Sequence, residues 1–384
     1  MSSPLPIPLL EAPRPVDAEP SSVRLASNSP REVGSIARRM TLVDGLRGFA
    51  ALAVVLPHAV GLFIFAGSGA LSEWMVRVAD FGHRGVEVFF ALSGFVIAFS
   101  LRHTRLSPRG IGQFILRRSL RLDPPYWVAL GLFCGYLLLR AAMTGKPAEL
   151  PSAPHLLSHL LYLQDVLGYG QLNIAFWTLC IEFQFYLAFA VLLGCAQALS
   201  RWSGRDGVLT MFFSVLFVVS LAWPMGLVEM RSHQPHMMYL PSHVFIFLAG
   251  ALTWWTLEGR LPRAVWYAFV LGLWGLFLWK LDSRVFVTAA TSSILYAAGR
   301  SHRLYTWLAA RPLQYLGRIS YSIYLVHVPL CMLLLAVKVR IAPPSDLVSL
   351  AFLGVCYAAS IAAAHVLYTW VEAPCLEWTK RLKR

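Results

Sequence analysis

A run of apolar residues at 42–65, L-V-D-G-L-R-G-F-A-A-L-A-V-V-L-P-H-A-V-G-L-F-I-F, is long enough to cross a bilayer, yet it carries Asp44, Arg47 and His58. On a helix, the step from Arg47 to His58 closes to within ~20° of three full turns. The two side chains therefore share a face, separated by roughly 16 Å along the axis. With Arg47 at one membrane surface, His58 falls near the middle of a hydrocarbon core ~30 Å thick. An ionisable group at that depth is expensive, so its default reading is functional. The plainer reading is an imidazole bonded to a nearby backbone carbonyl.

The rest of the chain repeats the pattern of apolar runs and short charged loops. Of its 384 residues 57% are hydrophobic and 14% charged, and the mean hydropathy is +0.60. Runs of ~20 residues point to a helical bundle, since a membrane barrel alternates over ~10-residue strands. The expected fold is all-α, a polytopic membrane bundle of about ten spans. They fall near 42–66, 85–101, 124–143, 174–199, 208–228, 239–257, 264–280, 284–299, 313–337 and 347–371, with 152–167 an interfacial or re-entrant helix. Residues 1–40, rich in Pro, Ser and Arg, read as a disordered cytoplasmic tail with no cleavable leader. Residues 41–375 form the membrane domain and 376–384 a basic cytoplasmic tail. No internal repeat is visible.

A net charge of +14 suggests nucleic acid at first sight, but its distribution favours topology. With the amino terminus inside, 22 of the 33 Lys and Arg residues fall on the inner side and 9 on the outer. That bias puts both termini in the cytoplasm and makes nucleic acid an unneeded partner. The six cysteines form no C-x-x-C pair and no Cys/His cluster, so they read as packing residues, with no metal site and no disulfide framework.

Other polar groups interrupt apolar runs. Arg117, Arg118 and Arg121 lie in R-R-S-L-R-L-D-P-P-Y-W at 117–127, where Pro124 and Pro125 are expected to end one element before the next span begins. Paired guanidinium forks suit phosphates; contact with acidic lipids is the competing reading. Glu87 and Ser93 lie in one run, and Trp177, Glu182, Gln184 and Tyr186 in another. A third run holds Arg318, Ser320, Tyr321, Tyr324 and His327. Such groups make sense together if they line one polar cavity, or if they bond helices to one another. His83, His155, His159, His233, His236 and His243 fall in outer loops or at their edges and read as surface or acceptor-side residues.

Six motifs in order resemble the acyltransferase-3 family of membrane O-acyltransferases: L-V-D-G-L-R-G-F-A-A-L-A-V-V-L-P-H, G-V-E-V-F-F-A-L-S-G-F-V-I, R-R-S-L-R-L-D-P-P-Y, F-W-T-L-C-I-E-F-Q-F-Y-L, L-G-R-I-S-Y-S-I-Y-L-V-H and Y-T-W-V-E-A-P. The likeness spans about 42–375. It implies a bacterial cytoplasmic-membrane enzyme that moves an acyl group, most commonly acetyl, from acyl-CoA to a hydroxyl of a carbohydrate or lipid-linked glycan. It implies no tightly bound cofactor and leaves the oligomeric state open. His58 matches the family's catalytic histidine and Arg47 its basic partner, while Arg118 and Arg121 match a pair associated with the acyl donor. Glu182 takes the first place of a segment that usually carries two adjacent Glu, with Phe183 in the second. Cavity or acceptor roles go to Asp44, Glu87, Ser93, Trp177, Gln184, Tyr186, Ser320, Tyr324 and His327. Many relatives continue into a soluble hydrolase-like domain; this chain is expected to lack it. A transporter or flippase of a polar or lipid-linked substrate is the competing class, because it too uses intramembrane His and Glu.

Overall fold

The first apolar run forms α1 (Thr41–Phe63) in a computed structural model that describes residues 39–63, 70–205, 207–228, 240–341 and 345–381. The expected tail at 1–40 lies outside these residues except for its last two positions, as do His233, His236 and residues 382–384. There follow α2 (Ala70–Gly82), α3 (Gly85–Ser100), α4 (Pro108–Thr144), the short α5 (Ala153–Leu160), α6 (Trp177–Ser203) and α7 (Val208–Ser220). The second half comprises α8 (Val244–Leu257), α9 (Arg263–Lys280), α10 (Ser283–Arg300), α11 (Arg311–Ile341), α12 (Asp346–Leu367) and α13 (Ala373–Arg381). A 3-10 turn at Leu240–His243 leads into α8, and a π-helical turn at Tyr368–Glu372 joins α12 to α13. Among the described residues there is no strand.

Seven helical stretches are long and apolar enough to cross a membrane, α2 and α3 counting as one at Trp74–Ser100. Each of the ten expected spans has a helix, but α7, α9 and α10 fall short of that standard. Helix α7 has 13 residues, and α9 and α10, at 18 each, have basic residues at or next to both ends. The prolines at 124 and 125 do not end an element, contrary to expectation: α4 runs unbroken for 37 residues. Proline removes a hydrogen bond from the ladder, yet long flanking turns and outside partners hold such a helix together in lipid. Here Tyr321 donates to the Leu122 carbonyl at 2.8 Å and Tyr162 donates to the Asp123 carboxylate at 3.0 Å, beside the proline pair. The arginine cluster and the following span are therefore one rigid rod.

Close helix crossings rest on glycine, because lipid offers no hydrophobic drive and backbones must approach to gain contact. Gly94 of α3 faces the Phe247 backbone, while Gly250 of α8 faces the Ala91 carbonyl and the Phe95 nitrogen. Gly48 of α1 fits against the backbone of Leu313 and Gly317 in α11, where a Cβ would stand 3.0 Å from each. A third crossing positions the site. Pro57 has no N–H for the Ala53 carbonyl, and Gly82 packs onto that carbonyl, where a Cβ would also sit 2.9 Å from Pro57 Cδ. The turn after α2 is thereby pressed against α1 next to His58.

Candidate functional site

His58 is half-buried in α1 and makes no hydrogen bond among the described residues; its neighbours are two more imidazoles. The His83 ring lies 5.2 Å away edge-on, and the His327 ring 5.2 Å away and tilted. His327 is fully buried in α11. Its Nδ1 meets the Tyr324 carbonyl at 2.8 Å, and a carbonyl only accepts, so Nδ1 carries the proton. Nε2 is then a bare lone pair, and it has no hydrogen-bond partner among the described residues.

His58 and His83 open onto a cavity of about 800 Å³ lined also by Arg84, Glu87, Gln171, Trp177, His243, Arg284 and Tyr324, with His327 buried behind His58. Arg84 donates to Glu87 Oε1 at 2.8 Å, which leaves the buried Oε2 without a donor. Across the cavity Asp282 caps α10 by accepting from the Arg284 backbone at 2.8 Å, and it grips the Arg284 guanidinium at 2.6 Å. Both arginines are thus balanced by carboxylates. The wall offers one orphaned carboxylate oxygen and three imidazoles, a surface suited to hydroxyl groups.

Arg47 faces a second, much smaller space of about 30 Å³, room for little more than a water. Glu182, Ser320, Tyr321 and Tyr324 share it, and Val86 and Tyr324 line both spaces. Tyr324 is pinned as a partition: it accepts from Thr178 at 2.6 Å and donates to the Ala175 carbonyl at 2.9 Å. Glu182 accepts from Ser93 and from Tyr186, and the Arg118 guanidinium lies 4.8 Å from the centre of the Tyr186 ring. Arg47, Arg118 and Arg121 interact electrostatically, with Glu372 of the π-helical turn as the opposing charge. Glu372 is buried and accepts from Ser322 at 2.7 Å.

The expected site residues thus divide into two groups. His58, Glu87, Trp177 and Tyr324 meet at the large cavity, with His327 buried against His58; Arg47, Ser93, Arg118, Arg121, Glu182, Tyr186 and Ser320 gather at or around the small one. Glu182 has no hydrogen bond to His58. Asp44 lines neither space and pairs with Arg39 at 2.9 Å. Gln184 turns away as well, donating to Cys180 Sγ at 3.1 Å and towards the Tyr162 carbonyl. Of the histidines read as surface or acceptor-side residues, His159 and His243 are buried, and His243 lines the large cavity. His159 holds α5 in place through Tyr126 at 3.0 Å and the Gly170 carbonyl at 3.3 Å, and burial drops its pKa to about 4. The reading from sequence gave no site role to Arg84, Arg284 or Glu372, and placed His83 only among surface or acceptor-side residues. Glu372 lay in the quoted Y-T-W-V-E-A-P motif; His83 had no signal beyond its place beside an apolar run.

An acyltransferase domain model matches residues 41–369, nearly the whole described bundle. The acyltransferase MdmB of Streptomyces mycarofaciens is 26% identical over 361 residues, covering 88% of this chain and 92% of that one. The O-acetyltransferase OatA of Staphylococcus aureus is 25% identical over 325 residues, covering 75% of this chain and half of OatA. No solved structure matches the chain. The protein is a membrane-type, all-helical chain that belongs to the acyltransferase-3 family.

Proposed function

We propose that the protein transfers an acyl group, acetyl in the simplest case, from cytoplasmic acyl-CoA to a hydroxyl of a carbohydrate or lipid-linked glycan at a bacterial cytoplasmic membrane. In this reading about ten helices cross the bilayer, both termini are cytoplasmic, and the large cavity opens outward. The supporting observation is that one helix, α1, presents Arg47 to the small space and His58 to the large one, with Tyr324 lining both. Donor phosphates bind at Arg118, Arg121 and Arg47, whose forks match phosphate oxygens. The pantetheine arm passes the Tyr324 partition and delivers the thioester to His58; its passage needs the partition to shift, since the small space admits little more than a water.

An unperturbed imidazole titrates near pH 6.5 and offers a neutral acceptor at physiological pH. His58 takes the proton of the acceptor hydroxyl as its oxygen attacks the thioester carbon. Attack forms the C–O bond of a tetrahedral adduct, whose collapse breaks the C–S bond and leaves the ester, and the imidazolium returns the proton to the departing CoA sulfur. The His327 Nε2 lone pair lies beside the ring that becomes cationic and steadies it. Glu87 Oε2 accepts a second hydroxyl of the sugar. Ping-pong chemistry through an acyl-histidine is not required.

Purified protein given labelled acetyl-CoA should release free CoA only when a hydroxylated envelope glycan is added. Glycan movement without CoA release would instead favour a transporter. Arg118→Ala with Arg121→Ala should weaken donor binding, and unchanged affinity would reduce that cluster to a topology signal.

A further inference from the structure

A second large cavity, about 740 Å³, contains none of the residues discussed so far. Arg102 and Arg105 of the α3–α4 loop, Arg201 near the end of α6 and Arg260 of the α8–α9 turn converge on it. All three segments carry inner-side charges in the Lys/Arg distribution. Charges that only set topology need a side of the membrane and no fixed geometry. Here the loop is clamped. Gln197 donates to the Thr104 carbonyl and accepts from the Leu106 nitrogen, both at 2.9 Å, and Arg260 donates to the Arg102 carbonyl. Arg102 itself donates to the Phe99 carbonyl at 2.8 Å. Among the described residues only Arg260 of the four has a carboxylate partner, Glu258 at 2.9 Å. The first turn of α7, the positive end of that helix's dipole, borders the same space through Gly207, Leu209 and Thr210.

We propose that this cavity is a binding site for a phosphate group presented from the cytoplasmic side. Three guanidinium groups without carboxylate partners, held on a preorganised frame, match a phosphate's charge and its oxygen geometry. Two sources carry that chemistry. One is the nucleotide end of the donor, which rests on the acyl-CoA reading; Arg118 lies 3.5 Å from Ser100 Oγ, two residues before Arg102, so the donor cluster adjoins this cavity. The other is an anionic phospholipid headgroup of the inner leaflet.

Arg105 and Arg201 are exposed and take no part in the clamps, so Arg105→Gln with Arg201→Gln leaves the frame intact. The full chain, wild type and double variant, is placed in phosphatidylcholine nanodiscs and titrated with CoA and with inorganic pyrophosphate. In parallel, discs containing phosphatidylglycerol are assayed for lipid retained on the protein. A nucleotide site predicts CoA binding weaker by about tenfold or more in the variant and competition by pyrophosphate. A headgroup site predicts unchanged CoA binding and loss of retained phosphatidylglycerol. Wild type that binds pyrophosphate or phosphatidylglycerol but no CoA, with that binding lost in the variant, keeps the anion site and removes the donor reading. A variant equal to wild type for CoA, pyrophosphate and lipid overturns the proposal.

Discussion

His327 has its proton placed by its surroundings, and that makes its role testable. Asparagine at 327 keeps a donor near the Tyr324 carbonyl but removes the acceptor at the Nε2 position. If that lone pair steadies the His58 imidazolium, His327→Asn should lower kcat by about tenfold or more with donor affinity unchanged. The pH dependence of kcat should shift as well, because the free base loses its neighbour. Steady-state kinetics across pH on the purified variant decides; an unaltered kcat and profile would leave His327 a packing residue. Phe183 is settled at this scale too. It stacks on Tyr162 with ring centres 4.6 Å apart, so this position faces the segment after α5 and not the polar pocket. Residues of this kind were legible as types, since charge inside an apolar run stands out. Their partners were not: Glu182 bonds Ser93, 89 residues away in the chain, and nothing in either run states that pairing.

Helix α4 shows where element-level reading misleads. A proline pair ends helices in water, but this one is braced by two tyrosines from α11 and from the segment after α5, which only the tertiary structure supplies. The glycine crossings give a direct test. Gly250→Ala would press a methyl group into the Ala91 backbone, whereas Gly131 of α4 has nothing within 4 Å of an added Cβ. Overpacking of this kind costs about 1–3 kcal/mol, so Gly250→Ala should melt measurably lower in detergent while Gly131→Ala should not. Equal melting temperatures would mean that the α3–α8 contact is looser than described. The α5 segment should respond to acid. His159 stays neutral when folded down to a pKa of about 4, whereas an unfolded imidazole protonates near 6.5. Its contribution is complete above about pH 6.5 and fades as pH falls towards 4, by up to about 3 kcal/mol. Protection factors over 153–171, corrected for intrinsic exchange, should therefore fall across that window, and a flat profile would show that His159 is not what holds the segment.

At the level of the whole molecule, membrane insertion and helix order were readable because a bilayer imposes length and polarity on every span. The shorter helices α7, α9 and α10 were readable only as apolar runs. The partition of the site into two spaces was not readable at all. Periodicity placed Arg47 and His58 on one face of α1 but could not show that Tyr324, pinned from α6, stands between their surroundings. In the proposed reading a donor from one side meets an acceptor from the other across that partition, and His58 is where the account places the meeting. The most direct measurement is acyl transfer and CoA binding by purified His58→Ala beside wild type. The account predicts CoA affinity within about twofold of wild type and transfer lower by a factor of roughly 10² to 10⁴, the usual contribution of a positioned base. Transfer within a few-fold of wild type would contradict it.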